Sequence, residues 1–345
     1  MPAVASASAP TDSPAVSEAV TSTTAVPAGR DDLIDALKLF AMGLVVLTHV
    51  LGLRREFVGL SPQLVDTMVT FNMPLFTFLS GYVLFGREGR SPVRFIRGKG
   101  LALLVPYLAW ILVELPLRKY PPAAWFPRLG RALVDPHAGM QMWFLWLLFW
   151  LFVIFTLVRL VCTDDRWLAA SAIAMGATLF LGTVTSYGVD KITWLYPFFI
   201  LGYLYAKHRA RTERFDVVVS VVSVVAFPLL LMWGPPGVVV RFATALAGMG
   251  ASWGLFRLLP GRVLAPLGFV GQKTLGLYGW QMVVLPYMIV GAGWIGAVAS
   301  WSLVMVAAAL LTLVLEQTAV TRAVFLGQRS ALRRALRVLS AARRR

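Results

Sequence analysis

The chain has 345 residues, of which 58% are apolar and only 14% charged. Soluble domains are roughly half apolar and a quarter charged, so a water-exposed globule is excluded by the greasy surface it would have to show. The net charge is +16, but the basic residues gather in short loops and a C-terminal tail, where orientation signals belong, and they require no nucleic-acid partner.

Cys162 is the single cysteine, which rules out an intrachain disulfide and a cysteine-built metal cluster. Residues 1–29 are rich in Ala, Ser, Thr, Val and Pro. No basic segment leads there into an apolar core, so this is not a secretory signal; it reads as a disordered tail. Ten apolar segments follow, at 33–53, 64–86, 101–118, 142–162, 167–185, 192–207, 216–234, 237–258, 270–291 and 295–316. Most approach the length that crosses a hydrocarbon core of about 30 Å. The expected fold is an all-α integral membrane protein, a bundle of about ten transmembrane helices over residues 30–320, with a basic tail at 321–345.

With a cytoplasmic N-terminus the inner loops carry Arg87, Arg90, Arg94, Arg97 and Lys99, then Arg159 and Arg166, then Lys207, Arg209, Arg211 and Arg214, then Arg257 and Arg262. The outer loops hold fewer: Arg54, Arg55, Arg118, Lys119, Arg128, Arg131, Lys191 and Arg241. The excess inside satisfies the positive-inside rule and puts both termini in the cytoplasm, in a multi-pass protein of the plasma membrane. From Val324 to Arg345 arginines alternate with apolar residues at helical spacing, as in a surface helix resting on anionic lipid.

Ionisable residues inside a span are costly and face the bundle interior. The first span carries Asp35, Lys38 and His49. At about 100° per residue, Lys38 and His49 fall within roughly 20° of one face, with Asp35 about 40–60° away. This stripe rises about 16 Å from Lys38 to His49. Asp35 and Lys38 can pair near the interface. His49, at membrane depth and with an ordinary pKa near 6.5, suits proton abstraction from a hydroxyl. Glu114, in the outer half of the third span, lies at a similar depth, where a carboxylate could orient the ring or steady an imidazolium; alternatively it reaches outward to water. Asp66, Asn72, Ser80, Gln281 and Glu316 are the other polar residues within spans. Zinc-protease and Walker A patterns are absent, and His137 and His208 are far apart in the sequence, so no metal site is expected.

Several segments together resemble the bacterial acyltransferase family 3 membrane proteins. They are Asp35-Ala-Leu-Lys38 with His49; Phe71-Asn-Met-Pro74 leading to Ser80-Gly81-Tyr82; Arg94, Arg97 and Lys99 leading to Pro106-Tyr107 and Trp110; Trp143-Phe144-Leu145; Phe198-Phe199-Ile-Leu-Gly202-Tyr203; and Thr274-Leu-Gly-Leu-Tyr278. They occur in the expected order over about 33–290. Two positions depart from the common pattern: Lys38 stands where many members have arginine, and Gln281, which cannot be a general base, where many have histidine.

The resemblance implies transfer of an acyl group, commonly acetyl, from acyl-CoA to a hydroxyl of a sugar, glycan, glycolipid or secondary metabolite. His49, as general base or transient acyl carrier, and Glu114 are then the expected catalytic pair. Lys38, Arg94, Arg97 and Lys99 are expected to meet the CoA phosphates, and Asp35, Asn72, Ser80, Trp143, Tyr278 and Gln281 the substrates. A multi-pass transporter of a polar metabolite and an inactive scaffold relative are the alternatives.

Overall fold

In a bilayer the backbone can hydrogen-bond only to itself, and the apolar runs of this chain fold as helices. The computed structural model describes residues 31–53, 62–87, 91–182, 186–232, 237–328 and 330. The N-terminal tail at 1–29 and nearly all of the tail beyond 328 lie outside the described residues, as do Arg54, Arg55 and Arg90. Among the described residues there is no strand. The helices are α1 (Asp32–Leu53), α2 (Pro62–Tyr82), α3 (Pro92–Leu117), α4 (Trp125–Val134), α5 (Trp143–Val161), α6 (Asp165–Ala177), α7 (Val189–Lys207), α8 (Asp216–Met232), α9 (Val238–Arg257), α10 (Gly261–Gly271), α11 (Thr274–Val284), α12 (Gly293–Leu315) and α13 (Ala319–Phe325).

Each of the ten expected segments contains a helix. Six of these are long and apolar enough to cross a membrane: α1, α3, α5, the run Arg209–Met232 that ends in α8, α9 and α12. Two expectations need correcting. The third span begins nine residues earlier than the apolar run. Ser91 caps α3 through its side-chain oxygen, and Pro92 occupies the first turn, where its missing N–H costs nothing. Arg94, Arg97 and Lys99 therefore sit on a helix rather than in a loop. The ninth segment, 270–291, is broken: α10 ends at Gly271, α11 covers only Thr274–Val284, and a short 3-10 turn, Leu285–Tyr287, follows.

Small residues set how closely these helices approach. At Gly81 of α2, an added Cβ would lie 1.9 Å from the Phe199 carbonyl oxygen of α7, and at Gly202 of α7 one would lie 2.0 Å from that of Phe78. The two glycines thus make a reciprocal backbone-to-backbone crossing. Gly271 likewise admits the Asp35 carbonyl of α1, and Gly250 and Gly254 of α9 receive Ser223 and Ser220 of α8. Lipid tails are as apolar as the helices, so close packing of this kind supplies much of the association.

Polar side chains tie the helix ends at one end of the bundle. The buried Asp216 carboxylate accepts bonds from the Tyr205 hydroxyl, 2.7 Å to each oxygen, and from the Arg257 guanidinium. Arg209 donates to the Tyr82 hydroxyl at 2.5 Å. Asp165 accepts from Lys207 at 2.7 Å and pairs with His208 at 3.0 Å. Burial pushes the Asp165 carboxyl up, but the Lys207 and His208 contacts outweigh it and hold the group below the usual carboxylate range.

Candidate active site

The face of α1 that carries Lys38 carries Met42 and Val45 at successive turns, and all three line one cavity of about 290 Å³. Its remaining walls come from α2 (Met73, Phe76, Ser80), the first half of α3 (Lys99, Ala102, Leu103), α5 (Phe144, Leu148, Phe152) and α11 (Thr274, Tyr278). Two ammonium groups mark one end. Lys38 Nζ bonds to Asp35 Oδ1 at 2.9 Å, one helical turn away. Lys99 Nζ lies 3.7 Å from the centroid of the Phe152 ring and 5.4 Å from that of Phe95, a cation held on aromatic faces. Away from these groups the cavity is largely apolar.

Tyr278 stands at the other end and is buried. Its hydroxyl hydrogen-bonds to the backbone of Phe144, in the first turn of α5, where helix geometry leaves N–H groups unmatched. One turn beyond Val45 on α1 comes His49, and one turn beyond Tyr278 on α11 comes Gln281. These two side chains are neighbours, so a polar pair caps the cavity about 6 Å past its Val45 wall. The alignment falls short of a formed bond: His49 Nδ1 and both Gln281 amide atoms are buried without a hydrogen-bond partner among the described residues. Asn72 Oδ1 on α2 and Trp280 Nε1 on α11 are buried in the same condition. Buried polar atoms are nearly always satisfied, and leaving one unmet costs about 1–3 kcal/mol. These orphans lie on three helices, α1, α2 and α11.

The expected site residues divide accordingly. Lys38, Ser80, Lys99 and Tyr278 share the cavity, with Asp35 holding Lys38 and with His49 and Gln281 just past its end. The Ser80 hydroxyl is turned back to the Phe76 carbonyl at 2.8 Å. Arg94 and Arg97 are exposed on the first turns of α3 and do not line the cavity. Trp143 lines a different cavity. Glu114 is buried, with Oε2 accepting from Arg118 at 3.1 Å and Oε1 unmet. It lies close enough to Tyr278 to act on it electrostatically, whereas the polar group beside His49 is Gln281.

Sequence reasoning missed Arg118 as the partner of Glu114, although the four-residue spacing was a usable signal. It also missed the apolar lining, Met73 and Phe152 above all, which nothing in the pattern separates from lipid-facing residues. Among the described residues, no three His, Cys, Asp or Glu side chains converge as a metal site would need.

Comparison with known proteins identifies the family. Residues 31–317 match the model of an acyltransferase domain family, acyltransferase 3. The chain is 30% identical over 187 residues to the nodulation protein NolL of Sinorhizobium fredii, covering 52% of this chain and 49% of that protein. It is 30% identical over 233 residues to the NolL of Mesorhizobium japonicum, covering 60% of this chain and 58% of that one. The matched part thus spans about half the length of these relatives. No solved structure matches the chain. With a multi-helix apolar bundle and a family match over most of its length, the chain belongs to the acyltransferase 3 family.

Proposed function

We propose that this protein moves an acyl group, acetyl by preference, from acyl-CoA to a hydroxyl of a carbohydrate-like acceptor, with His49 as the base. The observation that carries the reading is the shape of the first cavity: cations at one end, apolar walls along its length, and the unsatisfied His49–Gln281 pair past the other end. An extended pantetheine arm is uncharged, narrow and comparable in length to the rise of about 16 Å from Lys38 to His49. The cavity is far too small for a whole acyl-CoA, so the nucleotide stays outside. Its phosphates meet Lys38 and Lys99 at the mouth and the exposed Arg94 and Arg97 beside it.

In the reaction the acceptor oxygen attacks the thioester carbonyl carbon and the carbon–sulfur bond breaks. His49 takes the hydroxyl proton and passes it to the departing thiolate, so that an ester and a free thiol leave. Gln281 orients the ring and Tyr278 lines the approach, while Glu114, paired with Arg118, acts through Tyr278 as a positioning residue. Asn72 offers its unmet oxygen to a substrate donor. The topology that goes with this reading has ten crossings over residues 30–320 and a basic tail after them. Both termini and the Lys38–Lys99 mouth then face the cytoplasm, where CoA is made, across the plasma membrane.

The test is donor binding. Acetyl-CoA should bind the protein in nanodiscs, and Lys99→Gln should raise its Kd by about tenfold, the loss of one charge-assisted contact. A well-folded sample that binds neither acetyl-CoA nor a longer acyl-CoA would end the proposal.

A further inference from the structure

A second cavity, of about 410 Å³, opens between the middle of α2 and the first turns of α5, α7 and α9. It lies away from the Lys38–Lys99 end, and Met73 lines both cavities. Its chemistry is different. Asp190, in the first turn of α7, lines it; its side chain is 29% exposed, with Oδ1 the shielded oxygen, which has no hydrogen-bond donor among the described residues. The nearest side-chain nitrogens, His137 Nε2 and Lys191 Nζ, each stand 3.9 Å from this carboxylate, beyond hydrogen-bond reach.

The turn that holds Asp190 there is fixed locally. Gly188 has φ +69°, and a Cβ on it would come within 2.4 Å of Pro136, so the entry to α7 is tied to the segment before α5. Two indoles, Trp143 and Trp194, line the same space. Lys191 Nζ lies 5.1 Å from the Trp143 ring centroid and the Arg241 guanidinium 5.3 Å from that of Trp194. Lys191 has Asp190 as its counterion; Arg241 has no carboxylate within ion-pair distance among the described residues.

We propose that this cavity is the acceptor site, and that the acceptor is a polyhydroxylated molecule bearing an anionic group, carboxylate or phosphate. Each part answers one feature of the lining. The accessible side of the Asp190 carboxylate, which accepts no side-chain hydrogen bond among the described residues, is met by a ligand hydroxyl. Indole faces pack against the C–H face of a saturated ring. An unpaired guanidinium at the rim binds an anion through its planar fork. Met73 is the common wall across which an acceptor hydroxyl would reach the thioester. That direction of transfer rests on the donor reading above, whereas occupancy of the cavity does not.

The experiment titrates protein in nanodiscs with radiolabelled methyl glucoside, glucuronate and glucose 6-phosphate, and separately with acetyl-CoA. At least one anionic sugar should bind about tenfold more tightly than the neutral one, the worth of one charge-assisted contact. Which anion binds better separates carboxylate from phosphate. Arg241→Gln should abolish the preference, Arg241→Lys should keep it, and Asp190→Asn should weaken all three sugars while acetyl-CoA binding stays unchanged. Equal binding of the three sugars, no binding, or indifference to both Arg241→Gln and Asp190→Asn in samples that melt like the parent would overturn the proposal. Sugar binding with this pattern in a protein that ignores acetyl-CoA would support the site and remove the donor reading.

Discussion

Gly81→Ala should destabilise the bundle more than any other single methyl addition on α2. The new Cβ would sit 1.9 Å from the Phe199 carbonyl oxygen, against an ordinary carbon–oxygen contact of about 3.3 Å. The opposing atom is backbone, so no rotamer change can relieve it. Helices α2 and α7 must part by more than 1 Å, at the cost of about 1–3 kcal/mol typical of overpacking. The reciprocal site, Gly202, faces the Phe78 carbonyl at 2.0 Å. Once the helices have parted, the second alanine costs less, so the double variant should be less than additive. Gly52→Ala is the control, because a Cβ there meets nothing within 4 Å and alanine is the better helix former by about 0.5–1 kcal/mol. Reversible unfolding in detergent measures all four proteins. If Gly81→Ala unfolds at the same denaturant concentration as Gly52→Ala, the close crossing does not hold the bundle as argued.

Arg257→Met should cost about 3 kcal/mol, because it strips the buried Asp216 carboxylate of its cation; a denaturation midpoint equal to the parent's would contradict this. Asp165 should confer acid sensitivity. Its carboxyl lies below the usual range in the folded protein, so its contribution is complete above the unfolded pKa of about 3.9 and is lost as pH falls through the folded value. Melting temperatures recorded from pH 7 down to pH 3 should show a shallower acid limb in Asp165→Asn than in the parent, and parallel limbs would remove this residue from the account.

Much of the first cavity was legible in the sequence, because a helix repeats every 3.6 residues and a stripe can be counted. Lys38 and His49 fall on one face by arithmetic, and Met42 and Val45 fill the turns between them in the structure. The close crossings were half legible: Gly81 and Gly202 stood out as motif glycines, but nothing local says that each receives the other helix's carbonyl. Depth along the bundle was harder. Glu114 does lie inside the bundle, yet its carboxylate pairs with Arg118 on its own helix, and which neighbour a long side chain chooses is a matter of packing that spacing does not encode. The row Arg94, Arg97, Lys99 looked uniform, but rotation about α3 turns only Lys99 into the cavity. The second cavity was hidden because its polar lining comes from helix first turns distant in sequence, where Asp190, Lys191 and Arg241 look like ordinary loop charges that set orientation.

The claim that His49 is the base is tested most directly by single-turnover thiol release. Nanodisc protein loaded with acetyl-CoA is mixed with acceptor, and free CoA is followed with time in parent and His49→Ala samples matched for acetyl-CoA binding. Donor binding should survive in His49→Ala, since the ring is not among the residues lining the cavity, while thiol release should slow by about 100-fold or more, the usual worth of a general base. Thiol release at the parent's rate in a folded, acetyl-CoA-bound His49→Ala protein would contradict it.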